Sequence, residues 1–560
     1  MKGRRIFSLL AVALSLLIFL QTMSWSDRMG QVEAFRGARL EGSVLNPLIS
    51  YNLNTTDSVK LAVNGSAYDS ENGELLLDPD MQVLASFALA RNIFYCSARV
   101  YDGSKVVIER NSDSFIFTIG KTSGMKNDEQ YELSIAPELM GGKVYMSLKD
   151  LCRMFGYGYS WDKAGKTANL DRTPAQPPVL RSSYDLRSKK RVSKIKNQGS
   201  LSTCWAYAAA SALESSLLPE EAVSFSPTDM SKRNTYGISA DKPGNYMMAV
   251  SYLLSWTGPV EDSSSGTAKH VQEVHFYSQD DMDDIKWAVY KNGGVSTSLY
   301  AETGTSDLRG SDYYNSASNS YYYYGQKEPN HDVLIIGWDD NYSKNNFKHS
   351  CPGDGAFICQ NSWGDKFGDN GVFYVSYYDT NVGQFGVSYV KIEGNTNYDR
   401  IYQTDLCGEI GSAGYDSKTA YGANTYTASS DEVLKACGFY TTSKDVSYNV
   451  YVVPDYTDTL SLSNKIHVAS GKFHDVGYYT VPFDQDIKVY EGKKFAVITE
   501  LTSDKNGNQI PIEYNGNVLT KNVKIYDGEG YISSNGVNWA RIETDFDANI
   551  CLKVYADDKK

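Results

Sequence analysis

Between residues 57 and 172 apolar and polar positions alternate in short runs, such as Val59-Lys60-Leu61-Ala62-Val63 ahead of Asn64-Gly65, and Phe115-Ile116-Phe117-Thr118-Ile119. A period of two closed by Asn-Gly predicts strands joined by tight hairpins. The exception is Leu148, Leu151, Cys152 and Phe155, spaced three or four apart, which predict a helix over 147–155 stopped by Gly156. Residues 57–172 therefore read as a small α+β N-terminal module. Prolines 174, 177 and 178 fix the backbone of a stiff connector, 173–182, and mark a domain boundary. Residues 183–394 mix both periods, and Ala206 to Leu217 is rich in the best helix formers. From 395 to 560 strand patterns return, at Tyr448 to Val453, Tyr478 to Phe483, Phe495 to Leu501 and Ile550 to Tyr555, predicting a C-terminal β-sandwich.

At the N-terminus, Lys2, Arg4 and Arg5 precede an apolar run from Ile6 to Leu20 and then small polar residues, which predicts a signal peptide over 1–26. Residues 27–56 follow as a linker or short pre-catalytic segment. The chain then reads as secreted or extracellular, either free or held at the cell surface by its flanking modules. Its 560 residues suggest several domains, and its 43 tyrosines and 46 glycines suit half-buried pleated surfaces and turns rather than helix bundles. A net charge of −13 argues against nucleic acid as a partner. Eight cysteines in a chain this long are no dense disulfide framework, although Cys351 with Cys359, and Cys96 with Cys152, are near enough in sequence to be considered. Asp504, Asn506 and Asn508 have calcium-loop spacing, but Gln509 stands where that loop needs glycine, so no metal site is expected and no cofactor is implied.

The chemistry concentrates in Lys196-Asn197-Gln198-Gly199-Ser200-Leu201-Ser202-Thr203-Cys204-Trp205, where a cysteine opens the Ala-rich helix. A thiol at a helix N-terminus feels the positive end of the macrodipole, which favours the thiolate. His331, in Asn330-His331-Asp332, lies 127 residues further on, and Asn361, in Gln360-Asn361-Ser362-Trp363-Gly364, lies 157 residues further on. Three motifs in this order and spacing resemble the papain-like cysteine peptidases. The resemblance runs from about 183 to 393 and implies an α+β papain-like peptidase domain.

It also implies roles. Cys204 attacks the carbonyl as a thiolate paired with an imidazolium on His331, which later protonates the leaving amine and activates water. Asn361 orients the ring, Trp363 shields that bond and lies on the substrate side, and Gln198 joins the Cys204 N–H as oxyanion donor. Leu201 and Ser202 depart from the family, which has cysteine and glycine there. Gly244 matches the position whose backbone pairs with substrate, and Tyr246 and Asp332 match walls of the pocket for the second side chain before the scissile bond. A carboxylate at Asp332 is unusual for the family: it either favours Lys or Arg there or turns away and pairs within the protein, leaving Tyr246 to define an apolar pocket.

The flanks carry resemblances too. Val63-Asn64-Gly65, Phe155-Gly156-Tyr157 and Tyr159-Ser160-Trp161-Asp162 are similar to the copper amine oxidase-like N-terminal domain of Gram-positive exported proteins, but no histidine precedes His270, so copper ligation is not implied. Gly530-Tyr531-Ile532-Ser533-Ser534-Asn535-Gly536-Val537-Asn538-Trp539 and Asn549-Ile550-Cys551-Leu552-Lys553 resemble the lectin-like domain of a bacterial branch of these peptidases. The implied partners are protein or peptide substrates, and a cell-wall or glycan ligand for the C-terminal domain, with Trp539 either stacking on sugar or filling core. The competing expectations are a secreted, cell-surface endopeptidase, a transpeptidase using the same thioester, and a non-catalytic adhesin on a papain-like scaffold. Maturation is expected within the connector, between Thr173 and Ser183.

Overall fold

The computed structural model describes residues 59–559, except 69–72, 79, 174, 279–281, 303–307 and 508. The expected signal peptide 1–26, the segment 27–56, Pro174 and Asn508 lie outside the described residues. Among those described, no helix is long and apolar enough to cross a membrane.

The N-terminal module pairs Lys60–Val63 with Ser66–Tyr68 through a turn in which Asn64 and Gly65 take positive φ of 51° and 78°. That is the conformation for which Asn-Gly is suited. Helix α1 (Phe87–Phe94) and helix α2 (Leu148–Phe155) are each capped by a serine: Ser86 accepts from Leu89 N at 3.1 Å, and Ser147 from Asp150 N at 3.3 Å. Gly156, at φ 74°, ends α2 as the sequence predicts. Leu148, Leu151, Cys152 and Phe155 all face a core that also holds Phe94 and Phe115.

In the central domain, helix α3 (Cys204–Leu217) buries an alanine-rich face against the strand His331–Asp339 and helix α5 (Tyr246–Leu254), with helix α4 (Pro227–Lys232) between them in sequence. Buried alanines let the neighbouring elements approach closely. Helix α6 (Met282–Lys291) packs on the same strand.

A thirteen-stranded sheet crosses the domain joint. From the central domain it carries Ala356–Gln360, His331–Asp339, Val295–Leu299, Gly386–Gly394 and Lys269–Tyr277 in that order. It continues through Gly477–Val489, Glu432–Thr441 and Leu552–Asp558 of the C-terminal domain. At the joint Glu273, Val274 and His275 pair with Tyr479, Tyr478 and Gly477. A Cβ on Gly477 would stand 2.3 Å from the Val274 carbonyl oxygen, so only glycine permits this approach.

The C-terminal strands of that sheet face a second, six-stranded sheet across a core of Phe439, Val481, Val450, Phe495 and Val497. The C-terminal domain is thus a β-sandwich. The run Ile550 to Tyr555 is two strands rather than one: Ala548–Ile550 pairs with Ile510–Tyr514, and Leu552–Asp558 pairs with Glu432–Thr441, the chain changing sheets at Cys551. None of the eight cysteines is disulfide-bonded. Cys351 contacts the Ser376 hydroxyl at 3.1 Å and Cys96 contacts the Ala90 carbonyl at 3.4 Å, so both considered pairings give way to burial as small apolar residues.

The connector is bound rather than loose. Arg110 donates to Gln176 O at 2.6 Å, Asn111 accepts from Val179 N at 2.8 Å, and Trp338 donates to Arg181 O at 2.9 Å. The segment in which maturation is expected has largely exposed side chains on a main chain held from both sides.

Candidate active site

Cys204 is the first residue of α3, and Thr203 provides no side-chain cap; Ala206 N and Tyr207 N donate to the Thr203 carbonyl at 3.0 and 3.3 Å. Only 9% of Cys204 is exposed. His331 begins the strand that packs on α3, and its Nε2 lies 2.8 Å from Asn361 Oδ1. An amide oxygen only accepts, so Nε2 carries the proton and Nδ1 is left as the basic nitrogen. The Trp363 ring stacks on the imidazole, with centroids 4.5 Å apart and planes at 22°. That stack covers the His331–Asn361 bond from one face.

Two backbone bonds bring the motifs together: Gln198 N donates to Ser362 O at 2.8 Å and Gly364 N to Lys196 O at 3.1 Å. The Gln198 side chain is itself engaged. Its Nε2 donates to Leu201 O at 2.7 Å and its Oε1 accepts from the Ser362 hydroxyl at 2.6 Å. One amide hydrogen is thereby committed to the loop.

Burial opposes isolated charge at both reacting groups. It pushes the Cys204 thiol up to about 12, with the Asp332 carboxylate adding to the rise, and His331 down to about 4 despite the bond it donates to Asn361. Backbone N–H groups of Asp332, Trp205 and Cys204 itself favour the thiolate. Burial thus disfavours a lone charge on either group, and a proton passed from sulfur to imidazole would let each new charge offset the other's cost.

Gly244 lies against the residue following the nucleophile: a Cβ there would meet Trp205 Nε1 at 2.5 Å. Tyr246 opens α5, is half-buried and stacks on Phe385 with centroids 5.5 Å apart. Asp332 is buried and accepts from the Ser298 hydroxyl at 2.6 Å, and burial raises its carboxyl to about 6. Of the two expectations for Asp332, the internal partner is present.

Sequence reasoning missed Ser298, and also Lys196 and Glu214, which pair at 2.6 Å beneath the Gln198 loop. An i to i+18 pairing has no local signature. Among the described residues no group of histidine, cysteine and carboxylate side chains could hold a metal ion. Trp539 is partly buried and meets Tyr421 edge-on at 6.4 Å, at the margin of a small aromatic cluster on the six-stranded sheet.

Residues 180–390 match the papain family cysteine protease domain, 401–556 the lectin-like domain, and 98–170 the copper amine oxidase N-terminal domain. A cysteine protease of Blomia tropicalis is 26% identical over 227 residues, covering 35% of this chain and 61% of that protein. Mouse cathepsin S is 26% identical over 229 residues, covering 38% and 62%. The chain thus spans less than two thirds of these relatives' length. Among solved structures, the clostridial cysteine protease Cwp84 after propeptide cleavage is 22% identical with a TM-score of 0.60, covering 68% of this chain and all of that one. The cysteine protease and lectin-like domains of Cwp84, described as a surface layer associated protein of Clostridium difficile, give 21% and 0.59 over 68% and 90%. These likenesses establish a shared fold.

Proposed function

We propose that this chain, which carries a papain-family domain between an N-terminal module and a lectin-like domain, is an exported cysteine endopeptidase acting on extracellular or cell-surface protein. The observation that carries the reading is the His331 Nε2 to Asn361 Oδ1 contact of 2.8 Å under Trp363, since it leaves Nδ1 as the base opposite a cysteine at a helix N-terminus.

Binding of a peptide along Gly244 brings its carbonyl carbon to Cys204. The sulfur bonds to that carbon as its proton passes to His331 Nδ1, and the oxyanion is met by the Cys204 N–H and the free amide hydrogen of Gln198. Collapse breaks the C–N bond, with the imidazolium giving its proton to the leaving amine, and an acyl thioester remains. Water, deprotonated by the same nitrogen, attacks the thioester and restores the thiol. An amine in place of water would give transfer instead. Export rests on the signal-like residues 1–26, and a cell-wall or glycan ligand for the C-terminal domain rests on its lectin-like match.

The test is labelling with a thiol-reactive peptidyl epoxide, followed by a peptide panel with and without added amine. The expected result is a single label on Cys204 and cleavage abolished in Cys204→Ala. Wild-type protein that is neither labelled nor active would leave the adhesin reading instead, and cleavage retained in Cys204→Ala would end the assignment of the nucleophile.

A further inference from the structure

The joint between the central and C-terminal domains encloses an imidazole. His275 lies on the strand Lys269–Tyr277, paired with Gly477 of the C-terminal domain, where an added Cβ would come within 3.3 Å of its Cδ2. Its Nε2 is 2.6 Å from Glu273 Oε1 on the same strand, and its Nδ1 is 3.6 Å from Asp475 Oδ2 of the C-terminal domain. All three side chains are buried. The main chain of Asp475 is fixed within its own domain, since its carbonyl accepts from the Tyr479 hydroxyl at 2.9 Å and the Thr441 hydroxyl at 3.1 Å. Beside it Phe276 N donates to Val476 O at 2.9 Å and closes the ladder between the domains.

One imidazole thus stands between two carboxyl groups supplied by two domains. A neutral ring carries a single N–H and can donate to one carboxylate, whereas the imidazolium has an N–H for each. The second nitrogen also has an alternative partner: the Tyr277 hydroxyl lies 3.4 Å from Nδ1 and can donate to it once the proton has left. The proton therefore decides whether Nδ1 draws on Asp475 across the joint or turns to its own strand. With the ring neutral, two buried carboxylates are left with no positive charge between them, which is unfavourable.

We propose that His275 is a protonation-dependent clasp of the domain joint, closed on Asp475 while the imidazole is charged and released when it is neutral. The clasp does not depend on the peptidase reading. Burial by itself would make His275 harder to protonate, but the Glu273 and Asp475 carboxylates outweigh it and hold its titration above the ordinary 6.5. A raised value means that the His275 contribution is complete below about 6.5 and is lost as pH rises through the folded value. Burial raises the Glu273 and Asp475 carboxyls as well, so they act in the same direction. The remaining neighbours are Tyr277, kept neutral by burial, the Tyr479 ring at 5.4 Å, Lys391 at 3.6 Å from Glu393, Lys444 at 3.6 Å from Asp284, and His474 at 2.8 Å from Asp445. Lys291, at the end of α6, holds its ammonium 5.4 Å over the Tyr95 ring. Burial lowers it to about 8, and a lowered lysine gains stability with rising pH, the opposite sign.

The experiment follows amide hydrogen exchange of residues 273–277 and 475–479 by mass spectrometry from pH 5.5 to 7.5, corrected for the intrinsic pH dependence of exchange, in full-length wild type, His275→Gln and His474→Gln. Protection is expected to fall by about tenfold across this range in wild type and in His474→Gln, and to stay within about twofold in His275→Gln. Constant protection in wild type, an equal fall in His275→Gln, or loss of the fall in His474→Gln overturns the proposal. Because His275→Gln can fail to fold, the wild-type protein labelled at histidine Cε1 is also titrated by NMR. One resonance, present in His474→Gln too, is expected to titrate above 6.5 and to move down by about half a unit or more in Asp475→Asn. Absence of such a resonance overturns the clasp whatever the exchange data show.

Discussion

Cutting the connector does not release the N-terminal module. Arg99, 6% exposed, donates from its guanidinium to the carbonyls of Ser216, Lys291 and Asn292 at 3.3, 2.5 and 3.0 Å, at the far ends of α3 and α6. Lys189 bridges to Glu109 at 2.9 Å, and the Tyr290 hydroxyl donates to Glu109 O at 2.7 Å. Arg99→Ala leaves three carbonyls without a donor, two of them only part-buried, at about 1 to 1.5 kcal/mol each, so about 3 to 5 kcal/mol is lost from the docking of the module. At about 1.4 kcal/mol per decade, this is a loss of affinity of about one hundred- to a few thousand-fold. Ser216 lies twelve residues along α3 from Cys204, about 18 Å at 1.5 Å per residue, so the docked module does not reach the nucleophile. The assay inserts a recognition site for a specific protease between 173 and 183, cuts there, and follows both fragments by size exclusion at nanomolar concentration. Nicked wild type is expected to elute as one species and nicked Arg99→Ala as two, with kcat/KM on a short peptide within twofold in both. Separation of the wild-type fragments, or a tenfold change in peptide cleavage on release, refutes the reasoning.

Three further outcomes are expected. Asn361→Ala removes the hydrogen bond that orients His331, so kcat should fall by about 10- to 100-fold with little change in KM, the equivalent of about 1.4 to 3 kcal/mol; an unchanged kcat would remove Asn361 from the positioning role. Gly477→Val should lower the melting temperature by several degrees through its clash with the Val274 carbonyl, while Gly394→Ala, with nothing within 4 Å of the new Cβ, should leave it unaltered. Burial raises Asp379 to about 6, so its contribution to stability is present below the unfolded value near 3.8 and is lost as pH rises through 6. The stability difference between wild type and Asp379→Asn, followed by urea denaturation, should shrink by about 3 kcal/mol over that interval.

The candidate site was legible where chemistry constrains a short stretch of chain. Cys204, His331 and Asn361 each sit in a motif whose neighbours have local jobs, such as Trp363 over the imidazole and Gly364, whose φ of +79° sets it against Asn197. The helix 148–155 was legible because its serine cap, apolar spacing and terminal glycine all lie within ten residues. What escaped were partnerships between distant residues. Asp332 with Ser298 spans 34 residues, and Lys196 with Glu214 spans 18. The joining strand 269–277 gave no strand signal because it is buried on both faces and holds polar residues among its apolar ones. There His275 meets Glu273 at 2.6 Å, and Gln272 accepts from Thr480 at 2.6 Å. Buried polar residues that satisfy each other erase the alternation by which a half-exposed strand is recognised.

The sheet that runs through the domain joint also decides where this chain can be divided. A central domain ended at residue 394 would present the strand 269–277 with its ladder to 477–479 open and with Val274 newly wet, an invitation to pair with another copy. The seam that a family boundary draws between residues 390 and 401 is therefore not a seam in thermal unfolding. A calorimeter should record the central and C-terminal domains melting in one transition, and soluble expression of the central domain should require residues 395–559 to be present in the same chain or supplied alongside it.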